Sequence, residues 1–254
     1  MGRRKYKEIP EEDLEELHNF LEKSNKQESV LLSTLNVNVK CKTENQKKLI
    51  NSIKENEITI CSGLPGTGKT FLSCAQALKL LKSKNPAKYK RIVLIKSVTT
   101  LKNEEIGFLK GSLEEKMEPY IDSFMDNFRK LIGKSRTNSL RGFGLIEVLP
   151  IAFARGRSID NSIIIIDEAQ NISMDNIRTL MTRIGNDSKM IILGDVKQKD
   201  IKNKNDSALE VVIDKFKDIN HFGCVELRDP NDVVRNPIIR IIESIFEKLD
   251  NGGQ

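Results

Sequence analysis

The chain has 254 residues, of which 38% are apolar and 31% charged, a composition that allows one generous α/β domain. No stretch approaches the roughly 20 uninterrupted apolar residues of a membrane span, and the opening MGRRKYK leads into no apolar segment, so neither a membrane protein nor a secretory signal is expected. A net charge of +6 admits nucleic acid as a partner, although a lysine excess beside many Asn and Ile is also what AT-rich coding leaves.

In chain order, residues 3–29 are polar and rich in Lys and Glu. A short helix opens at Pro10 with apolar Leu14, Leu17 and Leu21 and acidic residues in its first turn. Residues 1–40 read as an N-terminal helical arm, 41–250 as a single domain, and 251–254 as a frayed tail. From residue 43 the signals alternate: helix 43–54, strand 57–61, a glycine loop, helix 69–82, strand 91–95. Residues 96–142 read as a polar loop with short helices at 113–120 and 121–132. Strands at 145–149 and 163–167, helix 174–184, strand 190–193, helix 207–216, strand 224–227 and helix 237–249 follow. Near-continuous apolar strands alternating with amphipathic helices predict an α/β fold with a mainly parallel, doubly wound sheet, helices on both faces.

The cysteines, Cys41, Cys61, Cys74 and Cys224, have no CxxC spacing and read as free thiols in a reducing, cytoplasmic compartment. His18 and His221 have no acidic or cysteine partner at ligand spacing, so a metal cage made of side chains alone is not expected.

Gly63-Leu64-Pro65-Gly66-Thr67-Gly68-Lys69-Thr70 satisfies GxxxxGK[ST]. Its glycines let backbone N–H groups turn inward around phosphates, and the helix N-terminus that follows adds its dipole. The strand before it and the amphipathic helix after it give the pattern its context. Lys69 is expected to bridge the β- and γ-phosphates of ATP and the Thr70 hydroxyl to ligate Mg2+, with Phe71 in the same nucleotide-binding set.

Four isoleucines lead to Asp167-Glu168-Ala169-Gln170, a strand that delivers two carboxylates at its C-terminal edge, where ligands bind in open α/β sheets. Asp167 is expected to hold Mg2+, and Glu168 to orient and deprotonate the attacking water, from the strand neighbouring the P-loop strand. The adjacent Glu favours the additional-strand class of P-loop proteins over small-molecule kinases. Gly194-Asp195-Val196-Lys197-Gln198 ends the next strand, where Gln198 can feel the γ-phosphate. Upstream, Gln46 in TENQ offers an amide for adenine N6 and N7. Arg235 is the first candidate for an arginine that meets transition-state charge; Arg183, Arg155 and Arg157 come next.

TxxQ, GxxxxGKT, DEAQ and GDxxQ in this order resemble the nucleotide-side motifs of superfamily 1 helicases, and more closely those of the PhoH-like family. The blocks IGFLKGSLEEKMEPY (106–120), PIAFARGRS (150–158), LMTRIG (180–185) and DVVRNP (232–237) carry that resemblance over residues 41–249. Two stretches depart from the family pattern: Lys96-Ser97-Val98 stands where Arg-Pro is usual, and Arg235-Asn236-Pro237 where Arg-His-Pro is usual. The resemblance implies a RecA-like ATPase domain, often assembled as a hexameric ring, acting on single-stranded RNA or DNA with RNA favoured. With room for one RecA-like half, the chain is expected to receive the missing cleft wall from a neighbouring subunit. Neither the large N-terminal RNA-binding-like domain of long members nor a fused nuclease domain is expected.

In the related helicases the loop after the second strand tracks the single-stranded backbone. Here it offers Lys96, Ser97, Thr99, Thr100, Lys102 and Lys110 for phosphate contacts and Phe108 for base stacking. An assembly or remodelling factor whose ring engages protein is the alternative expectation.

Overall fold

The structure is a computed structural model that describes residues 11–83, 88–96, 113–198 and 208–236 with 238–239, 241–242 and 245–246, apart from the side chains of 11–17 and 113–121. The chain divides into two compact units, Met1–Asn36 and Val37–Gln254.

In the first unit, α1 runs Glu11–Thr34, well past the short helix expected there. The run EKSNKQESVLL contains neither Gly nor Pro and is rich in good helix formers, so nothing stops the helix before its end. At its C-terminus the Ser33 and Thr34 hydroxyls donate to the Val30 and Leu31 carbonyls.

The second unit is built on six strands: β1 (Ile58–Gly63), β2 (Arg91–Lys96), β3 (Ile146–Val148), β4 (Ser162–Asp167), β5 (Lys189–Gly194) and β6 (Phe222–Leu227). They lie in the order β3-β2-β4-β5-β1-β6, and every pairing is parallel. Helix α2 (Glu44–Glu55) precedes them, and between them run α3 (Lys69–Leu81), α4 (Leu113–Ile132), α5 (Lys134–Gly142), α6 (Ile151–Ala154), α7 (Met174–Met181) and α8 (Ala208–Phe216). The β5 strand lies between β1 and β4, so the acidic strand is not the immediate neighbour of the P-loop strand. This corrects the expected adjacency, and an intervening strand is what the adjacent Asp-Glu pair favoured.

Burial explains the sequence pattern. All six residues of β1, β4 and β5 are buried, as in sheets covered on both faces. Ile60, Val93, Ile95, Ile164, Ile166 and Ile192 pack in one core cluster with Ala154, Ile177, Leu180 and Leu209 of α6, α7 and α8. Ile92, Leu94, Ile163, Ile165, Ile191 and Leu193, which alternate with them, are equally buried and belong to the opposite face. There α3 and α4 lie against the central strands. The outer strands β3 and β6 are only partly buried.

The segment read as a loop with two short helices is instead one 20-residue helix, α4, followed by α5. Pro119 has no N–H to give to the helix, yet burial of Phe124, Met125, Phe128 and Ile132 holds the helix in place. Gly133, at φ +84°, makes the break before α5. Residues 97–112, with Ser97, Thr99, Thr100, Lys102, Phe108 and Lys110, lie outside the described residues, as do several positions of the expected C-terminal helix; those described there are helical. Among the described residues no helix is long and apolar enough to cross a membrane.

Candidate functional site

At the C-terminal ends of β1, β4 and β5 a cleft of about 600 Å3 opens, the position a parallel sheet reserves for ligands. The loop leaving β1 is shaped by its glycines. A Cβ at Gly63 would come within 2.7 Å of the Leu227 carbonyl oxygen, so only glycine lets β1 end this close to β6. Gly66 and Gly68 take φ of +77° and +82°, a region that other residues enter at a cost. The Leu64 N–H donates to Leu227 and the Thr67 hydroxyl to the Leu64 carbonyl. Gly63, Leu64 and Thr67 are buried beneath the turn, while Pro65, Gly66, Gly68, Lys69, Thr70 and Phe71 line the cleft. No side chain caps α3, so its first amides face the cleft without a side-chain acceptor. The Lys69 ammonium donates to the Gly63 carbonyl at 2.5 Å and to that of Leu64 at 3.0 Å.

From β4 comes Asp167, whose carboxylate accepts the Thr70 hydroxyl at 3.0 Å and the Glu168 N–H at 3.0 Å. Burial pushes the Asp167 carboxyl above the usual carboxylate range, and the nearby Glu168 charge adds to the effect; the two donated hydrogen bonds and Lys96 oppose it. Glu168 leaves the strand in the left-handed region, at φ +56°, rare for a side chain of this size. Its carboxylate accepts from the Gln170 amide at 2.7 Å. Asp195 and Gln198, after β5, line the same cleft.

Gln46, only 3% exposed, reaches the cleft from the first turn of α2. Its oxygen accepts the Lys42 N–H at 2.7 Å and its nitrogen donates to the Thr67 carbonyl at 2.9 Å, so the amide already braces the glycine turn. One N–H and one lone pair remain for a base edge. A second brace was not anticipated. Buried Asp232 accepts from the Thr43 hydroxyl at 2.7 Å and from the Asn45 amide at 2.8 Å, joining α2 to the chain after β6. Two residues on, the Val234 N–H donates to the Gly66 carbonyl.

The four arginines separate. Arg235 lines its own chain's cleft, its Cβ against Gly66. The Arg183 carbonyl accepts from Ile159 N–H ahead of β4, which places Arg183 at the opposite pole of the sheet, away from its own chain's cleft. Arg155 bonds Asn176 and Arg157 bonds Glu147, and neither lines the cleft. Gln170 and Asp232 are buried polar residues beside this site whose roles spacing alone did not show. Gln170 stood in plain view as the last letter of DEAQ, but its partners are set only by the folded sheet.

Residues 38–247 match the family described as PhoH-like protein. A PhoH-like protein of Bacillus subtilis (strain 168) is 34% identical over 222 residues, 87% of this chain and 68% of that protein. One from Synechocystis sp. is 34% identical over 213 residues, 84% of this chain and 63% of the other. Protein PhoH of Escherichia coli (strain K12) is 30% identical over 199 residues, 78% of this chain and 55% of its own length. The large terminase of a thermophilic bacteriophage gives a TM-score of 0.47 at 8% identity, covering 80% of this chain and 49% of the terminase.

Proposed function

The chain belongs to the PhoH-like protein family, and on that premise we propose that it is an ATP hydrolase whose turnover is coupled to single-stranded nucleic acid, RNA above DNA, in an oligomeric ring with a hexamer favoured. The observation that carries the reading is the 3.0 Å hydrogen bond from Thr70 to Asp167, which closes the glycine loop onto the acidic strand. Both partners are hard oxygen donors, and Mg2+ is commonly held by one or two protein oxygens together with substrate phosphates. These residues therefore fit Mg2+, which when bound neutralises charge on the phosphates.

The roles of the chain's own groups follow. The turn 63–68 and the first amides of α3 receive the phosphates. Lys69 exchanges its two carbonyl partners for phosphate oxygens, which frees its charge at the moment of binding. Glu168 orients a water and takes its proton, and Gln198 stands beside the same reaction centre. Gln46 meets adenine with the hydrogen and lone pair it keeps free. Arg235 meets phosphate charge within its own chain, whereas Arg183, at the far pole, can serve only a neighbouring subunit.

Hydrolysis of ATP by the full chain, with and without poly(U) or single-stranded DNA across a salt series, tests the reading, beside native mass measurement in Mg-ATP. Stimulation by the polymer that fades with salt is expected. Hydrolysis with no stimulation and no salt-dependent binding would remove nucleic acid and favour a factor that remodels protein. No hydrolysis would remove the enzyme.

A further inference from the structure

Gln170 is 2% exposed and bonded at both ends of its amide. Its Nε2 donates to Glu168 Oε2 at 2.7 Å, and its Oε1 accepts the Asp195 N–H at 3.1 Å. The partners settle which end is which: a backbone N–H only donates, and an ionised carboxylate only accepts. Glu168 follows β4 and Asp195 follows β5, so one side chain ties together the exits of two strands. Gly194 leaves the room for it, since a Cβ there would stand 2.7 Å from the Gln170 oxygen.

The chain of contacts continues. The Asp195 carboxylate accepts the Lys197 N–H at 3.0 Å, and its carbonyl accepts the Gln198 N–H at 3.1 Å. The turn that carries Gln198 is thus linked to the Glu168 carboxylate through a single buried amide. Glu168 needs such a tether. Its left-handed backbone takes the side chain out of strand geometry, and among the described residues the bond from Gln170 is the hydrogen bond that holds its carboxylate.

We infer that Gln170 is a positioning residue, whose amide holds the Glu168 carboxylate and the turn after β5 in one arrangement. It leaves Oε1 of Glu168 to accept from water and makes a displacement at Gln198 felt at the base. This rests on the ATPase reading above. The amide aims the base, and nucleotide affinity belongs to other residues.

The test uses the full chain and single-turnover cleavage of ATP with protein in excess, with equilibrium ATP binding and thermal melting recorded for each variant. Gln170→Met keeps the volume and removes both bonds. Gln170→Glu keeps an acceptor for the Asp195 N–H and loses the donor to Glu168, so it serves if the first variant melts early. Both are expected to slow cleavage by about 100-fold, the cost of a misaimed group, with ATP affinity within about 2-fold. Placed in a Glu168→Gln background, neither is expected to slow the residual rate further, because the group it acts through is gone. Unchanged cleavage, a loss that persists in the Glu168→Gln background, or affinity that falls in step with rate overturns the inference. If the unmodified chain cleaves no ATP, the ATPase reading itself fails; if Glu168→Gln cleaves it at the unmodified rate, Glu168 is not the base; in either case the role of Gln170 goes with it.

Discussion

Asp167 accepts a hydrogen bond from Thr70 across 3.0 Å although 97 residues separate them. The pairing ties two strand exits that β5 keeps apart, and the carboxylate at their meeting point belongs to a residue only 7% exposed. Burial and the Glu168 charge raise the carboxyl of Asp167. Between the ordinary value of about 3.9 and its own raised value, the folded protein keeps a proton that the unfolded chain has released. Stability from this group is therefore present at low pH and lost as pH rises through the raised value. Urea unfolding of the metal-free protein from about pH 4 upward is expected to show wild type losing stability relative to Asp167→Asn, with Mg2+ restoring part of the loss in wild type alone. Parallel curves for the two proteins refute the assignment.

Glu168 holds a backbone conformation that suits glycine. Glu168→Gly is expected to stabilise the fold by about 1 kcal/mol, by relieving left-handed strain, and to abolish hydrolysis. Glu168→Gln keeps the strain and is expected to bind ATP and stall. Denaturant midpoints read beside ATP binding and turnover check both. A Glu168→Gly variant no more stable than wild type shows that the strain is offset locally.

At Gly63 the space is closed from the β6 side, the Leu227 carbonyl and side chain standing 2.7 and 2.8 Å from a would-be Cβ. Gly63→Ala is expected to cost about 1–3 kcal/mol, as overpacking does, and to lower ATP affinity, since β1 can relax only by moving the loop it carries. Chemical denaturation and nucleotide titration measure the two effects. Unchanged stability would mean that β6 yields freely.

Removing the Asp232 carboxylate leaves two donors, on Thr43 and Asn45, without their acceptor. Asp232→Ala is expected to destabilise the protein by about 1–3 kcal/mol and to weaken ATP binding through the loosened start of α2. Asp232→Asn, which retains an acceptor for one of the two, is expected to fall between. Equal loss in both variants argues for charge as the important property.

What could be read in advance had a local cause. Glycine spacing, the run of isoleucines into Asp167 and the alternation of strand and helix are properties of neighbouring residues, and they placed the α/β sheet and the residues now found around one cleft. The long helix α4 was hidden by Pro119, whose local penalty is outweighed by the burial of Phe124, Met125 and Phe128 further along the same helix. Strand order was hidden because adjacency in a parallel sheet depends on crossovers, and so β5 came between β1 and β4 unannounced. Arg183 and Arg235 looked alike as letters. Only the path of the chain sends one to the far pole and the other to the glycine turn.

The bracket at Asp232 has a bearing on anyone who wishes to rebuild this protein. Positions 43, 45 and 232 lie at opposite ends of the unit's sequence yet meet as a single piece of carpentry. A graft that carries the TENQ turn to another scaffold must bring the aspartate along, and a library that varies one site must vary its counterpart in the same clone.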